Sequence, residues 1–370
     1  MAEHTPGTAD DLVPTRAEVI ATLTVPGGPF EMEEVVVRGI PTRTWKSAPA
    51  SLRAVFELSA LHGDKDFLVY EDERVTFEQN FRNVAALGHQ LVGRFGVQPG
   101  DRVAIAMRNL PDWVTAFWAT ITIGAVAVPL NAWWTGEELA YGLTDSGTKL
   151  AFVDEERQLR ISHHLADIPD LEAMIVSCEE HDPDTGGRRP AVGCTLERGD
   201  AEPLHVIPFE DVVGSPADDI ALPEVTVDPD DDATIFYTSG TTGRPKGAVG
   251  SHRNSCSNLM NLFFVSTLGG MRRTTAQKEA SPGGQNANLL SVPLFHATGC
   301  HALLVTNTAA GGKLVMMHHF DPERALELIE RERITVFGGV PAMVMQVIDS
   351  PDFAKRDTSS VQSISYGGAP

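Results

Sequence analysis

The chain has 370 residues, 42% hydrophobic and 21% charged, which excludes disorder along its whole length and points to about two or three domains. Fifty Asp and Glu against 29 Lys and Arg give a net charge of −21 with histidines neutral. That excludes a general binder of nucleic acid or anionic membrane, both of which demand a cationic face, so any anion must be held locally by backbone N–H groups or a placed lysine.

Residues 1–45 read as an N-terminal arm, opening on a polar, slightly acidic stretch with neither the basic nor the apolar region of a signal peptide. A strong pattern begins near Phe67. Thr76 and Gln79 form a capping box, and Phe77, Phe81, Val84, Leu87, Leu91 and Phe95 then recur on one helical face until Gly96. The apolar run Val103–Met107 predicts a strand, Pro111–Ile123 a helix and Ala125–Val128 a strand. Thr135 and Glu138 cap a helix running toward Asp145. Lys149–Val153 and Ala173–Val176 are strand-like, with helix-like Glu155–Leu165 between them. Short buried strands alternating with helices predict βαβ units and a parallel sheet covered on both faces.

The longest apolar run, Trp118–Leu130, falls short of the ~20 residues of a membrane span, so a cytoplasmic protein without an integral membrane segment is expected. Cys178, Cys194, Cys256 and Cys300 form no C-x-x-C pair, which argues against a zinc knuckle or a disulfide framework and fits a reducing compartment.

Over 181–232 the pattern dissolves into turn-rich and charge-rich sequence, read as a connector in which Asp230–Asp232 is solvated rather than metal-binding. A second alternating series follows. Strands are predicted at Thr234–Tyr237, Leu289–Val292, Leu314–Met316, Thr335–Phe337 and Val361–Tyr366. Helices are predicted from Ser251 onward and at His301–Thr306, Pro322–Arg331 and Pro341–Ile348, with a polar loop at 270–288. The expected organisation is an arm (1–45), a first α/β subdomain (46–180), a connector (181–232) and a second α/β subdomain (233–370). The adjacent pairs His163-His164 and His318-His319 read as structural or surface residues, because neighbouring side chains diverge.

One segment asks for a ligand. Tyr237-Thr238-Ser239-Gly240-Thr241-Thr242-Gly243-Arg244-Pro245-Lys246-Gly247 directly follows a predicted strand. Its glycines let backbone approach a ligand, its N–H groups and hydroxyls can converge on phosphate oxygens, and Lys246 adds a movable charge. It is not a Walker A loop, because Pro precedes the lysine and Gly follows it.

This loop resembles the phosphate-binding signature of the adenylate-forming superfamily, which includes acyl-CoA synthetases, aryl-CoA ligases, luciferases and peptide-synthetase adenylation domains. Further segments resemble the same family in the expected order: Val103–Asn131, Ser251-His252-Arg253-Asn254, Pro293–Gly299, and Ser365-Tyr366-Gly367-Gly368-Ala369-Pro370. The resemblance covers about residues 50–370 and implies an acyl-CoA synthetase with two mostly parallel sheets flanked by helices. The implied reaction joins a small-molecule carboxylic acid to AMP at the expense of ATP, and CoA then takes the acyl group.

Thr238, Ser239, Gly240, Thr241, Thr242, Gly243 and Lys246 would cradle the phosphates. Mg²⁺ would bridge phosphate oxygens, and His296 would stand where the acyl tunnel meets the α-phosphate. Gly367, Gly368, Ala369 and Pro370 would hold adenine. Apolar Leu303, Leu304 and Val305 favour a fatty acid, with an aryl-CoA ligase as the rival within the class. The sequence stops at Pro370, ahead of the Mg²⁺ carboxylate, the ribose-binding aspartate and the catalytic lysine that the resemblance implies. The expectation is therefore an incomplete N-terminal portion, with a catalytically incomplete nucleotide-binding fragment as the alternative.

Overall fold

The computed structural model describes residues 13–182, 187–198, 201–238, 243–274 and 284–366. The chain divides into two compact units, one of Met1–Pro49 with Cys256–Gly284 and one of Ala50–Ser255 with Gln285–Pro370.

In the first unit, α1 (Arg16–Leu23) is opened by a capping box between Thr15 and Glu18. Strands β1 (Met32–Val37) and β2 (Ile40–Trp45) pair antiparallel across Arg38 and Gly39. Both turn residues have positive φ, 48° and 83°, which matches the right-handed twist of a two-residue hairpin. Phe30 packs edge-on to Trp45 at 5.7 Å and to Phe264 at 5.3 Å, over buried Val19, Leu23 and Met260. The described part of the expected arm is thus a packed body, joined to a segment some 210 residues later in sequence through contacts such as Trp45 Nε1 to Asn261 Oδ1 at 2.9 Å.

The second unit holds two large sheets and one small two-stranded one. Its elements begin with α2 (Leu52–Ser59), β3 (Asp66–Tyr70), β4 (Glu73–Thr76), α3 (Phe77–Gly93), β5 (Arg102–Ala106), α4 (Pro111–Thr122), β6 (Val126–Pro129) and α5 (Gly136–Ser146). They continue with β7 (Thr148–Asp154), α6 (Glu155–Ser162), β8 (Ala173–Ser177), the short pair β9 (His181–Asp182) and β10 (Gly187–Arg188), β11 (Cys194–Arg198), β12 (Ala201–Pro208) and α7 (Phe209–Val213). After them come β13 (Asp232–Thr238), β14 (Lys246–Ser251), α8 (His252–Met271, entering the first unit at Cys256), β15 (Ala287–Leu290) and a π-helix (Thr298–Val305). The last elements are α9 (Thr306–Ala310), β16 (Lys313–Met316), α10 (Pro322–Glu332), β17 (Val336–Gly339), α11 (Pro341–Asp349) and β18 (Ser363–Tyr366).

The eight-stranded sheet runs β11-β12-β8-β7-β5-β6-β13-β14, parallel from β12 to β13 with an antiparallel strand at each edge. The six-stranded sheet runs β18-β17-β15-β16-β3-β4, parallel except for the β3–β4 hairpin. This is the expected class of two mostly parallel sheets flanked by helices. Apart from Asp112, every residue of α4 is buried, including Trp113, Phe117 and Trp118, as its all-round apolar sequence requires. Its Trp118 meets Phe56 of α2 at 5.1 Å between ring centroids.

The sheets do not follow the expected boundaries. β3 and β4 lie within 46–180 but complete the later sheet, whereas β14 and all of β13 but its first residue lie within 233–370 but complete the earlier one. Periodicity reports that a segment is a strand; it does not report which edge will accept it. The expected connector is also structured. β12 pairs in parallel with β8 and buries Leu204 and Val206, while β11 closes the edge. Pro203, His205 and Pro208 break the apolar run there, as an edge region tolerates. Asp230 pairs with Arg253 at 2.7 Å. Of the expected loop at 270–288, residues 275–283 lie outside the described residues. All four cysteines are free thiols. No helix among the described residues is long and apolar enough to cross a membrane.

Candidate active site

Parallel strands deliver their carboxyl ends to one edge of a sheet, and the crevice beyond those ends is where ligands bind in open α/β folds. A cavity of about 610 Å³ lies there, fed by both sheets. Arg108 and Asn109 reach it after β5, Trp133 after β6, and Phe236 to Thr238 at the end of β13. From the other sheet come Ser291 to Pro293 and Phe295 to Thr298 after β15, Met317 to Phe320 after β16, and Gly339, Val340 and Met343 at and after β17. A larger recess of about 860 Å³ opens beside the starts of β7 and β8, lined by Arg94, Lys149, Glu172 and Cys194 among others. None of the sequence-predicted site residues lines it.

Thr238 and Lys246 are backbone partners across β13 and β14, so the loop between them is the tip of a hairpin whose base is at the cavity. Ser239, Gly240, Thr241 and Thr242 lie outside the described residues. Gly243 has φ 125°, a conformation that strongly favours glycine. The loop is tied down on α5. Tyr141 donates its hydroxyl to the Pro245 carbonyl at 3.0 Å, Arg244 stacks over the Tyr141 ring at 5.0 Å, and Tyr237 donates to Asp145 Oδ2 at 2.7 Å. Lys246 is exposed at the start of β14 and is not part of the cavity wall.

His296 lines the cavity between Phe295 and Trp133, at ring distances of 4.7 and 6.2 Å. Although solvent reaches it, its partly apolar surroundings lower its pKa from the ordinary histidine value, leaving a neutral imidazole at pH 7. The segment that carries it is latched by buried Asn109, whose Nδ2 donates to the Val292 carbonyl at 3.1 Å and whose Oδ1 accepts from Leu294 N at 2.9 Å. Gly299 closes the latch: a Cβ there would stand 2.2 Å from the Pro293 carbonyl oxygen.

Gly367, Gly368, Ala369 and Pro370 lie outside the described residues; the strand before them, β18, ends at Tyr366, the backbone partner of cavity-lining Gly339. His318 and His319, expected to be structural or surface residues, both line the cavity, and His318 Nε2 meets Glu179 Oε2 at 2.7 Å. That hydrogen bond holds the Glu179 carboxyl below its ordinary range despite its burial. Leu303, Leu304 and Val305 lie in the π-helix and none lines the cavity, so they do not size it. Arg108, Asn109 and Trp133 were not anticipated either, because their role depends on strand ends meeting rather than on any local motif. Among the described residues, no group of three or more His, Cys, Asp or Glu stands together as a metal centre.

A family model described as AMP-binding enzyme matches residues 56–370. The chain belongs to this family. This chain is 30% identical over 296 residues to a feruloyl-CoA synthase from an Amycolatopsis species, covering 80% of the chain and 50% of that protein. It is 29% identical over 289 residues to the rice 4-coumarate–CoA ligase 2, covering 78% of the chain and 46% of that protein. The chain thus spans about half the length of the curated relatives it matches. Among solved structures, the N-terminal domain of FACL13 from Mycobacterium tuberculosis superimposes with a TM-score of 0.66 at 24% identity, over 87% of this chain and 70% of that one. MatB from Rhodopseudomonas palustris superimposes with a TM-score of 0.65 at 25% identity, over 87% and 55%. The membership and the fold expected from the phosphate loop are both found.

Proposed function

We propose that this chain carries the acid- and nucleotide-binding part of an ATP-dependent ligase. Such an enzyme activates a carboxylic acid to acyl-AMP and passes the acyl group to CoA. The observation that carries the reading is the shared cavity: the hairpin that ends β13 at Thr238 and the segment bearing His296 meet at one crevice outside the strand ends.

In the first step a carboxylate oxygen attacks the α-phosphorus of ATP, its bond to pyrophosphate breaks, and acyl-AMP forms. In the second the CoA thiolate attacks the acyl carbon and AMP leaves. Both steps depend chiefly on alignment and charge neutralisation. Thr238 and Gly243, with Ser239 to Thr242, would offer hydroxyls and amides to the β and γ phosphates, and Lys246 would bring a mobile cation from the hairpin's outer strand. Gly367 to Pro370 would carry adenine beyond β18. Neutral His296 would hold the reacting carboxylate through a hydrogen bond without competing for its charge. Mg²⁺ would supply further charge neutralisation in such chemistry. No carboxylate that could hold it lines the described cavity wall.

The wall is mostly apolar, with Trp133, Phe236, Phe295, Met317, Phe320 and Met343, which suits a fatty acyl body. A second reading, an aryl acid, is favoured by the five Phe, Tyr and Trp rings in that wall and by relatives named for coumarate and ferulate. Non-hydrolysable acyl-sulfamoyl adenosines distinguish the two. Calorimetric titration should give tighter binding for an acylated analogue than for sulfamoyl adenosine itself, with the decanoyl or the cinnamoyl form winning according to the true class. Equal affinity with and without an acyl group would overturn the carboxylic-acid site.

A further inference from the structure

Three histidines line the cavity, His296, His318 and His319, and the function proposed above uses only the first. Among the described residues, His318 alone of the three has a carboxylate partner, its Nε2 meeting Glu179 Oε2 at 2.7 Å. The pair joins the turn after β16 to the turn after β8, so each large sheet supplies one member. Their side chains are 25% and 28% exposed, which leaves proton exchange with water open to both.

An ionised carboxylate can only accept, so Nε2 carries the proton in that bond and Nδ1 keeps its lone pair. His319 Nδ1 lies 3.5 Å from it, too long to compete with a closer donor, and His319 is itself exposed. Glu179 stays ionised despite its burial, through the bond from His318 first and then the charges of Arg157, 3.6 Å away, and Arg108. Tyr70 of β3 faces the same carboxylate. His296 has no such support, and burial lowers its affinity for a proton.

An imidazole held by a fixed carboxylate has the makings of a general base, because the carboxylate sets the tautomer and stabilises the imidazolium that forms. The second step has a proton to remove, since a thiol is mostly protonated at pH 7 and only the thiolate is nucleophilic. We propose that His318, oriented by Glu179, is the base that takes the thiol proton of CoA. This deepens the ligase reading above and rests on it. The S–H proton passes to Nδ1 while the sulfur bonds to the acyl carbon. The bond from that carbon to the phosphate oxygen breaks, AMP leaves with the electron pair, and the imidazolium returns its proton to water. His318 is then a catalytic residue and Glu179 a positioning residue.

The test titrates the full chain with decanoyl-AMP and cinnamoyl-AMP by calorimetry, then offers the bound adenylate CoA or hydroxylamine in a single turnover. Hydroxylamine attacks as its neutral amine and needs no proton removed first, so it reports placement of the acyl group alone. At pH 7, His318→Gln should lower the ratio of the CoA rate to the hydroxylamine rate about 100-fold, the scale of general-base catalysis. Glu179→Gln, whose amide can donate to Nε2 and reverse the tautomer, should lower it about tenfold or more. Both deficits should shrink as the pH passes about 8.5, where a thiol ionises unaided. A ratio that His318→Gln leaves unchanged, or a deficit that stays the same at high pH, overturns the proposal and leaves the acid and nucleotide site standing. A wild-type chain that binds acyl-AMP without speeding its reaction with CoA does the same. Binding of neither adenylate overturns the ligase reading as well.

Discussion

His252 stands in the segment just after the phosphate hairpin that the sequence marks by resemblance, yet its task is internal. It is fully buried, and its Nδ1 accepts the Leu52 N–H at 3.2 Å at the base of α2. Burial pushes its pKa down to about 4 from an ordinary 6.5. A histidine depressed in this way favours the folded state while neutral. Its stabilisation is complete above about pH 6.5 and is lost as the pH falls toward about 4. The loss is on the order of 3 kcal/mol at most, from the free-energy equivalent of a pKa shift. Urea unfolding at pH 7 and pH 4.5 should show a larger fall for wild type than for His252→Gln; parallel curves would show that this histidine does not govern the acid limb. Cavity-lining residues were legible where a motif names them, as with Thr238 and His296. Arg108 and His318 were not, since each matters only through what another strand brings beside it.

Elements with strong local signals were read nearly to their ends. Thr76 and Thr135 open α3 and α5 with the expected capping boxes, and Asp321 and Pro322 open α10. Weaker signals gave way to tertiary context. β14, with Gly247 and Gly250 and a single strand neighbour, carries no apolar alternation that would announce it. The helix expected at His301–Thr306 starts earlier and winds as a π-helix over Thr298–Val305, a wider turn often found at functional sites. Its first turn carries Gly299, where the Pro293 carbonyl leaves no room for a methyl group. Gly299→Ala must displace the backbone that presents His296. The expected cost is about 1–3 kcal/mol of stability, with at least a comparable loss in affinity for an acyl-sulfamoyl adenosine. Full affinity in the alanine variant would mean that the latch does not shape the site.

On the scale of the whole second unit, the two sheets exchange elements. β3 and β4 cross to one, β13 and β14 to the other, and no local pattern could report that exchange. A side-chain tie joins β10 and α4 to β4. Arg188 of β10 makes a two-bonded contact with Asp112 of α4, both bonds at 2.8 Å, and meets Glu73 of β4 at 3.0 Å. Burial alone would depress its pKa, but Asp112 and then Glu73 overcome that and raise it, so the cation is firmly held. Arg188→Ala would leave two carboxylates facing each other without a counter-charge, and the expected loss is roughly 3–5 kcal/mol. Urea denaturation measures it directly. A loss below about 1 kcal/mol, the ordinary value of an exposed pair, would show that the tie is solvated and contributes little to the fold.

The central claim is that the hairpin between Thr238 and Lys246 grips the phosphate tail of ATP. Calorimetric titration of the chain with ATP, followed by competition with pyrophosphate, tests it most directly. The account predicts binding that pyrophosphate displaces and that Lys246→Ala weakens by about 1–3 kcal/mol, the worth of one charged hydrogen bond, with the melting temperature unchanged. ATP affinity that is the same in the variant, or that pyrophosphate leaves untouched, would contradict it.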